Sequence, residues 1–316
     1  MALAQADCPQ LTLGRGGIPM VQLHSPGSAR ISGTYLRHRH DEDHYASESH
    51  LPSRYAAQDT IDCLHHDRMY SSLDALLRHA ADTTWMTVGD GRFGTDANFL
   101  RPHVRSVLAT SISSSTLVIA KHRNWIDGYS EENAERISFG DEQFDFVLCK
   151  EAYHHFPRPA IGLYEMLRVA RVGVVLIEPF DSQWSPLGSI KRLIKRVLRG
   201  EHPYDQFEPV GNFVFRLSRT ETSKVMTALG YYGIAWRPMN GFWWGPLSSA
   251  SKTKISLRLA AYWLGVYAQD LACRIRLLSP GLVTLVCLKN PPSPELLRDL
   301  KRHGFRIDIS PPNPYT

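Results

Sequence analysis

The sequence predicts an α/β protein with a doubly wound, mostly parallel sheet. Four short apolar runs alternate with helical stretches, at 85–88, 104–109, 144–149 and 172–178. Parallel strands are buried on both faces, so they read as near-continuous apolar runs of this kind. A glycine-rich turn directly follows the first run. Because ligands of such sheets bind beyond the carboxyl ends of the strands, we expect the functional residues just after each run.

The composition is that of a folded protein without a membrane span. The 316 residues are 43% hydrophobic and 10% aromatic, which excludes disorder for most of the chain. The longest apolar stretch, 259–269, is too short to cross roughly 30 Å of hydrocarbon. The net charge of +5 permits an anionic substrate but does not require nucleic acid, so a nucleic-acid partner is not expected.

The cysteines and the first residues predict the compartment. Five scattered cysteines include no CxxC pair, which argues against a disulfide framework or a zinc ribbon and favours a reducing environment. Residues 1–10 lack the basic start and the apolar core of a secretory signal. We therefore expect a cytoplasmic protein.

Residues 1–59 are expected to form an N-terminal extension that is partly irregular. Glycines and prolines crowd 13–28, which argues against a regular element there. Histidines are then mixed with acidic and basic residues over 37–50. A metal site and a polar, solvated extension are the two interpretations of that segment, and the second is favoured because no pair has a spacing such as HExxH. Helical periodicity begins near Thr60 and is clear over 71–81.

A glycine loop follows the first predicted strand and leads into a predicted helix over 95–100. Its sequence is Gly89-Asp90-Gly91-Arg92-Phe93-Gly94. Glycines let a backbone turn sharply and let a ligand approach without meeting a Cβ. By itself the pattern fits a dinucleotide cofactor, S-adenosylmethionine or a purely structural turn.

The third apolar run and the residues after it carry a family resemblance. The order is Phe144-Asp145-Phe146-Val147-Leu148-Cys149-Lys150-Glu151-Ala152-Tyr153-His154-His155-Phe156, then Glu165, Arg168 and Gly173, then a strand to Glu178. This order resembles the class I S-adenosylmethionine-dependent methyltransferases, and more narrowly the methyltransferase type 11 group, from about Trp85 to Pro179. The resemblance implies a Rossmann-like, seven-stranded sheet, to which this chain adds the N-terminal extension and an inserted helical cap.

The resemblance also implies S-adenosylmethionine as the cofactor and a site for it. The first loop would lie under the methionine part of the cofactor, with Arg92 either pairing with the cofactor carboxylate or capping a solvated loop. The implied cofactor-binding residues are Gly89, Asp90, Gly91, Arg92 and Gly94 in the loop, Ser111 and Ile112 beside the ribose and adenine, Asn133 and Ala134 against the adenine amine, and Cys149 and Lys150 beside the sulfonium.

Two positions depart from the family pattern. The family usually has an acid two residues before the first glycine, where this chain has Thr87, and a carboxylate that holds both ribose hydroxyls at the end of the second strand, where this chain has Ser111. A serine makes only part of that contact. Either another side chain binds the ribose, or affinity is low, or the chain is a cofactor-binding scaffold without activity. A lost carboxylate also suits a phosphorylated ribose, so an NADP-dependent reductase stays open.

The residues after the third run are the candidates for catalysis. Methyl transfer from a sulfonium depends chiefly on aligning the acceptor and excluding water. For a hydroxyl acceptor, His154 or His155 is a candidate general base, and Glu151 and Tyr153 are alternatives that would orient the acceptor. His155 alternatively ties the strand end to the following helix.

The acceptor is predicted by elimination. No Asn-Pro-Pro-Tyr motif follows the third run, which disfavours an amino-nucleobase, and the absence of metal-ligand spacing disfavours a magnesium-assisted catechol reaction. No metal site is therefore expected. O-methylation of a small-molecule or saccharide-type acceptor remains, with an RNA methyltransferase as an alternative supported only by the positive charge.

Beyond the fifth predicted strand the chain is expected to cover the site. Residues 60–180 would form the cofactor-binding half, 181–250 a cap and a strand that shape the acceptor site, and 251–316 a C-terminal helix, the last sheet strand and a tail. Within the cap, 190–200 is a basic amphipathic segment. It predicts a surface helix, a lid over the acceptor, or a weak peripheral contact with an anionic membrane or a polyanion. The oligomeric state does not follow from the sequence.

The C-terminal part predicts four more elements. A helix that is apolar nearly all round spans 252–278 and is expected to pack against the body of the protein. An apolar run at 282–288 predicts the last sheet strand, followed by a helix over 295–303 and a small terminal strand over 304–309.

Overall fold

A computed structural model of the protein describes residues 27–47, 59–181 and 213–315, together with residues 186 and 207. The strands are β1 (Thr84–Val88), β2 (Ser106–Ser111), β3 (Tyr129–Glu131), β4 (Phe144–Lys150), β5 (Ala170–Pro179), β6 (Gly233–Met239), β7 (Leu282–Leu288) and β8 (Arg306–Ile309). The α-helices are α1 (Gly27–Ser47), α2 (Ile61–Tyr70), α3 (Asp74–Leu77), α4 (Thr95–Leu100), α5 (Ser115–His122), α6 (Pro159–Val169), α7 (Arg219–Ala228), α8 (Leu257–Arg274) and α9 (Pro294–Arg302).

The predicted doubly wound, mostly parallel sheet is confirmed. The strand order is β3-β2-β1-β4-β5-β7-β6-β8. The first five of these strands are mutually parallel, and β7 runs antiparallel between β5 and β6. The order reverses at β1, because the chain moves outward to β2 and β3 and then returns to place β4 on the other side. The carboxyl ends of β1 and β4 therefore lie side by side at the switch point of the sheet.

The sheet has eight strands, so the predicted number of seven is wrong. The additional strand is β8, the small terminal strand that the sequence predicts. It pairs antiparallel with β6, with Gly233 opposite Ile309. This pairing places β8 at the edge of the sheet, far from the switch point.

Side chains alternate between two hydrophobic layers, one on each face of the sheet. In β1, Trp85 packs into one layer and Met86 into the other. In β4, Leu148 packs into the same layer as Trp85, and Val147 packs into the same layer as Met86. Because successive residues of a strand point to opposite faces, an apolar run that is buried throughout requires helices on both faces.

The helix near the C-terminus packs on one face only. It spans Leu257–Arg274, and Tyr262 is fully buried while Leu264 and Tyr267 are 71% and 64% exposed. The helix therefore packs against the body of the protein through the face that carries Tyr262, and apolar residues of its other face are exposed. In the described part of the chain, no helix is long and apolar enough to cross a membrane.

The N-terminal segment and the predicted cap differ from expectation in different ways. Residues 27–47 form the regular helix α1, although the sequence predicts irregular or solvated structure for 13–28 and 37–50. Residues 1–26, 48–58 and the basic segment 190–200 lie outside the described residues. The described part of 181–250 contains α7 and β6, which belong to the sheet and its covering layer.

Candidate active site

The glycine loop begins where β1 ends, directly against the segment that follows β4. Gly89 has a φ of +76°, a conformation that favours glycine. A Cβ at this position would clash with the Cβ of Ala152. Since β1 and β4 are neighbours in the sheet, the two predicted halves of the site meet at this close approach.

Asp90 anchors the loop instead of facing a cavity. Its buried carboxylate accepts hydrogen bonds from the backbone N–H groups of Asp96 (3.1 Å) and Ala97 (2.9 Å) and from the hydroxyl of Thr87 (2.9 Å). The first two donors belong to the first turn of α4, which has no intrahelical acceptors for them. Burial raises the pKa of Asp90. Thr87 stands where the family pattern described above has an acid. Its hydroxyl instead donates to Asp90, an acid three residues further along the chain.

The N-terminal helix lies across the ends of β2 and β3. The hydroxyl of Ser113 donates to the Asp43 carboxylate at 2.5 Å, and the hydroxyl of Ser115 also donates to it. Arg39 pairs with Glu131, the last residue of β3, at 2.8 Å. The helix is thus solvated on one side, where Arg39 and Asp43 remain exposed, but it is not a free extension, because its acids bind groups at the carboxyl edge of the sheet.

Glu42 of the same helix reaches the glycine loop. The hydroxyl of Ser111 lies 2.7 Å from Oε1 and 2.9 Å from Oε2 of this carboxylate. A Cβ on Gly91 would come within 2.5 Å of the Glu42 carboxyl carbon. Burial, with a smaller effect from the nearby acids Asp43 and Glu131, raises the pKa of Glu42 to about 7. A carboxylate thus lies where the loop after β1 meets the end of β2.

The polar groups at the end of β2 fit those of an adenosine-type cofactor. Glu42 and Ser111 offer hydrogen-bond acceptors at the end of β2, beside a loop position that only glycine can occupy at this distance. The two residues predicted to contact the adenine make structural contacts. Asn133 accepts a hydrogen bond from the backbone N–H of Glu135 at 2.9 Å, which stabilises the turn after β3, and Ala134 is buried in the layer beside it.

The end of β4 carries a buried cluster of charges. The ammonium of Lys150 lies 3.1 Å from a carboxylate oxygen of Glu151 and 3.5 Å from one of Asp96. Lys150 also stands over the ring of Tyr70, at 5.1 Å from its centroid. Asp96 and Glu151 raise the pKa of Lys150 against the opposing effect of burial, and Lys150 lowers the pKa of Glu151 in the same way. Both groups therefore stay charged at neutral pH.

A cavity of about 1440 Å³ opens beyond the carboxyl ends of β1, β4 and β5. Arg92 of the glycine loop, Glu151 after β4 and Pro179 at the end of β5 all line it. Residues of α2 and of the loop before α8 also line the cavity. Its other polar and aromatic lining includes Asp62, His65, His66, Asp67, Tyr70, Phe99, Trp243 and Lys252.

His66 is a cavity residue that the sequence reasoning missed. Its Nδ1 lies 3.3 Å from Oε2 of Glu151. Burial, together with the positive charges of Lys150 and Arg92, lowers the pKa of His66 to about 3. The imidazole is therefore neutral at pH 7. No local pattern marks this residue, since it belongs to a helix that the fold brings over the end of β4.

The predicted catalytic residues lie in two different environments. Glu151 lines the cavity, whereas Tyr153 is buried against the rings of Phe156 and Phe215. His155 lies between His154 and a residue of α1, with its ring centroid 3.9 Å from that of His154 and 5.4 Å from that of His38.

Glu178 positions His154 and was also missed by sequence reasoning. This fully buried carboxylate lies 2.6 Å from Nδ1 of His154 and accepts the backbone N–H groups of Ala152 and Tyr153, each at 2.9 Å. The available signal was an acid at the end of an otherwise apolar strand. Through these bonds β5 holds the turn after β4, and with it the residues that face the cavity.

The described part of the chain contains neither a metal-ligand cluster nor a disulfide. No group of three or more His, Cys, Asp or Glu side chains could hold a metal ion there. The four cysteines among the described residues are free thiols. Cys149 is fully buried at the end of β4, and burial raises its pKa.

A family model and a curated protein each match part of the chain. Residues 86–177 match the family described as a methyltransferase domain. The 2-methyl-6-phytyl-1,4-hydroquinone methyltransferase of Synechocystis sp. is 26% identical over 170 residues, which are 52% of this chain and 52% of that protein. The chain thus spans about half the length of the curated relative it matches.

Two solved structures illustrate the likeness in shape. A chain of the complex between the Trm112 methyltransferase activator and the putative methyltransferase of Haloferax volcanii is 14% identical, with a TM-score of 0.48, covering 80% of this chain and 98% of that one. Magnesium protoporphyrin IX methyltransferase from Synechocystis, solved with bound S-adenosylhomocysteine, is 11% identical, with a TM-score of 0.45, covering 71% and 84%. The match to the methyltransferase domain runs from β1 to β5 and so includes the glycine loop at the switch point of the sheet.

Proposed function

We propose that the protein transfers a methyl group from S-adenosylmethionine to an oxygen of a small-molecule acceptor. The observation that carries the proposal is the cavity at the switch point of the sheet. There Arg92 from the predicted cofactor loop and Glu151 from the end of β4 face one space of about 1440 Å³. That volume accommodates a small molecule beside the methyl donor.

S-adenosylmethionine is the cofactor that the family implies, and when bound it supplies a methyl group on a sulfonium. The loop 89–94 and the end of β4 are the segments that would hold it. The remaining task of the protein is to align the acceptor and to exclude water. Glu178 contributes by fixing the turn at 152–154, because it binds two backbone N–H groups and His154.

The pair of His66 and Glu151 is suited to orient an acceptor hydroxyl. His66 is neutral at pH 7, so its imidazole can accept a hydrogen bond from that hydroxyl, while its pKa of about 3 makes it too weak a base to keep the proton. The Glu151 carboxylate lies 3.3 Å from Nδ1 of His66 and adds a second acceptor at the same place. Lys150 keeps Glu151 ionised and so preserves its charge for this role. This pair replaces His154 and His155 as our preferred candidate, because neither of those residues lines the cavity.

The acceptor class is best described as a ring or saccharide that carries hydroxyl groups. The relative from Synechocystis is named for a hydroquinone, a ring with two hydroxyls. In this chain Trp243 and Phe99 line the cavity together with Asp62 and Lys252. Flat side chains together with polar groups suit both a phenolic ring and a sugar.

Titration calorimetry with S-adenosylhomocysteine and with NADPH tests the cofactor. We expect S-adenosylhomocysteine alone to bind, because Glu42, Asp43 and Glu131 would repel the 2′-phosphate of NADPH at the end of β2. Binding of NADPH alone would instead support the reductase. Salt-dependent binding of RNA would support the RNA methyltransferase.

Transfer of a labelled methyl group tests the reaction itself. With S-adenosylmethionine labelled in the methyl group, we expect incorporation into members of a panel of phenols and sugars. A protein that binds S-adenosylhomocysteine but labels no member of that panel would contradict the proposed acceptor class. His66→Gln should then lower kcat without changing the affinity for S-adenosylhomocysteine.

A further inference from the structure

A carboxylate from the N-terminal helix lies at the end of β2, where the strand itself ends in serine. Both oxygens of Glu42 lie within hydrogen-bond distance of the Ser111 hydroxyl, at 2.7 and 2.9 Å. The helix that carries it is held at this edge by independent contacts. These are the bonds of Ser113 and Ser115 to Asp43 and the ion pair of Arg39 with Glu131.

The surroundings of Glu42 do not neutralise its charge. Its donors are the Ser111 hydroxyl and the backbone N–H of Ser113, and the charged groups that act on it are the acids Asp43 and Glu131. Glu42 is half-buried, and a carboxylate withdrawn from water without a cationic partner opposes folding. The cost of this carboxylate to the free protein is explained if Glu42 binds a ligand.

The carboxylate retains capacity for more donors. A carboxylate accepts about four hydrogen bonds, whereas the single hydroxyl hydrogen of Ser111 and the N–H of Ser113 supply two. Two adjacent hydroxyls of a ribose would provide the others. The carboxylate approaches the loop this closely because residue 91 is glycine, so a ribose bound to Glu42 would also lie against the loop predicted to hold the cofactor.

We propose that Glu42 supplies the carboxylate that binds the ribose hydroxyls of the cofactor, in place of the acid that β2 lacks. The proposal rests on the proposed function, since it assumes an adenosine-containing cofactor. It makes α1 a part of the cofactor site, because the helix delivers a binding group that the methyltransferase domain does not contain.

The test is calorimetric titration of the full chain with S-adenosylhomocysteine and with its 2′-deoxy analogue at pH 8. We expect the Glu42→Gln variant to bind S-adenosylhomocysteine roughly 10- to 100-fold more weakly than the wild type, because the substitution removes a charged acceptor of hydrogen bonds. The 2′-deoxy analogue should lose much less affinity on the same substitution, because it lacks one of the two donors. The comparison of the two ligands separates contact with the ribose from a general change in the site.

Two further variants make the interpretation specific. Asp43→Asn changes the neighbouring acid, which binds Ser113 and Ser115, and we expect a change in affinity of less than about threefold. Glu42→Gln combined with Ser111→Asp returns a carboxylate to the end of β2 and should recover most of the lost affinity. Equal effects of Asp43→Asn and Glu42→Gln would show that the helix acts only through its packing, and would overturn the proposal.

The remaining outcomes are also distinguishable. Unchanged affinity in Glu42→Gln would overturn the role of Glu42 and leave the proposed function standing. Tighter binding in that variant would show that Glu42 occupies space the cofactor needs, which is the opposite of the proposal. Failure of the wild-type protein to bind S-adenosylhomocysteine would overturn the proposed function and this inference together.

Discussion

Replacing Glu42 by glutamine should stabilise the ligand-free protein at alkaline pH. Burial raises the pKa of Glu42 from 4.5 to about 7. Each pKa unit corresponds to about 1.4 kcal/mol, so ionisation of the carboxylate costs the folded state about 3 kcal/mol above pH 7. Between pH 4.5 and 7 the folded state binds this proton more tightly than the unfolded chain does. The contribution of Glu42 to the free energy of unfolding therefore falls as the pH rises through that window.

Glutamine has nearly the same shape as protonated glutamate but does not titrate. At pH 5 we expect the wild type and Glu42→Gln to differ by less than about 1 kcal/mol, since the wild-type side chain is then mostly protonated when folded. At pH 8 the variant should be more stable by about 1 to 3 kcal/mol, the lower bound allowing for a weakened hydrogen bond with Ser111.

Urea unfolding followed by tryptophan fluorescence at pH 5 and pH 8 measures both differences. Asp43→Asn is the matched control. Hydrogen bonds from Ser113 and Ser115 lower the pKa of Asp43, so this variant should show no gain in stability at pH 8. A variant Glu42→Gln that is less stable than the wild type at pH 8 would refute the reasoning, because the carboxylate would then be stabilising where burial predicts a cost.

Three further substitutions test the geometry of the site. Gly89→Ala should lower the free energy of unfolding by about 2 kcal/mol or more, because of the positive φ and the clash with Ala152; an unchanged melting temperature would contradict the close approach of the two segments. Glu178→Gln should destabilise the protein by about 3 kcal/mol in thermal unfolding, since it weakens the bond to His154 and the hold on the turn after β4; a change below about 0.5 kcal/mol would show that Glu178 does not hold this turn. Trp243→Ala should raise KM for the acceptor roughly tenfold while the Kd for S-adenosylhomocysteine stays the same, and an unchanged KM would place the acceptor outside the cavity.

The sheet could be predicted because its strands are buried on both faces. Burial of this kind leaves a local mark, an apolar run of four to seven residues, and the runs ending near Val88 and Cys149 lie in strands at those positions. The glycine loop was equally visible. Gly89 is required by a positive φ and by the nearness of Ala152, and both requirements act on the residue itself.

The cavity and the N-terminal helix could not be predicted in the same way. His66 reaches the cavity from a helix that is far in the chain from the glycine loop and from β4, and its neighbours in sequence carry no sign of this. Glu42 belongs to a stretch rich in charges that is typical of a solvated surface. Its burial depends on the docking of α1 against Gly91 and Ser111. These residues lie 49 and 69 positions further along the chain, so no local pattern reveals the contact.

The sequence by itself determined the sheet, the glycine loop and the family resemblance, because these depend on periodicity and on conformations available to single residues. Only the tertiary structure decided which acid stands at the end of β2, which side chains face the cavity, and which predicted residues instead hold the turn after β4. The physical reason is that hydrogen bonding and burial act between groups brought together by folding. A carboxylate such as Glu42 has the same appearance in the sequence whether it faces water or a binding site.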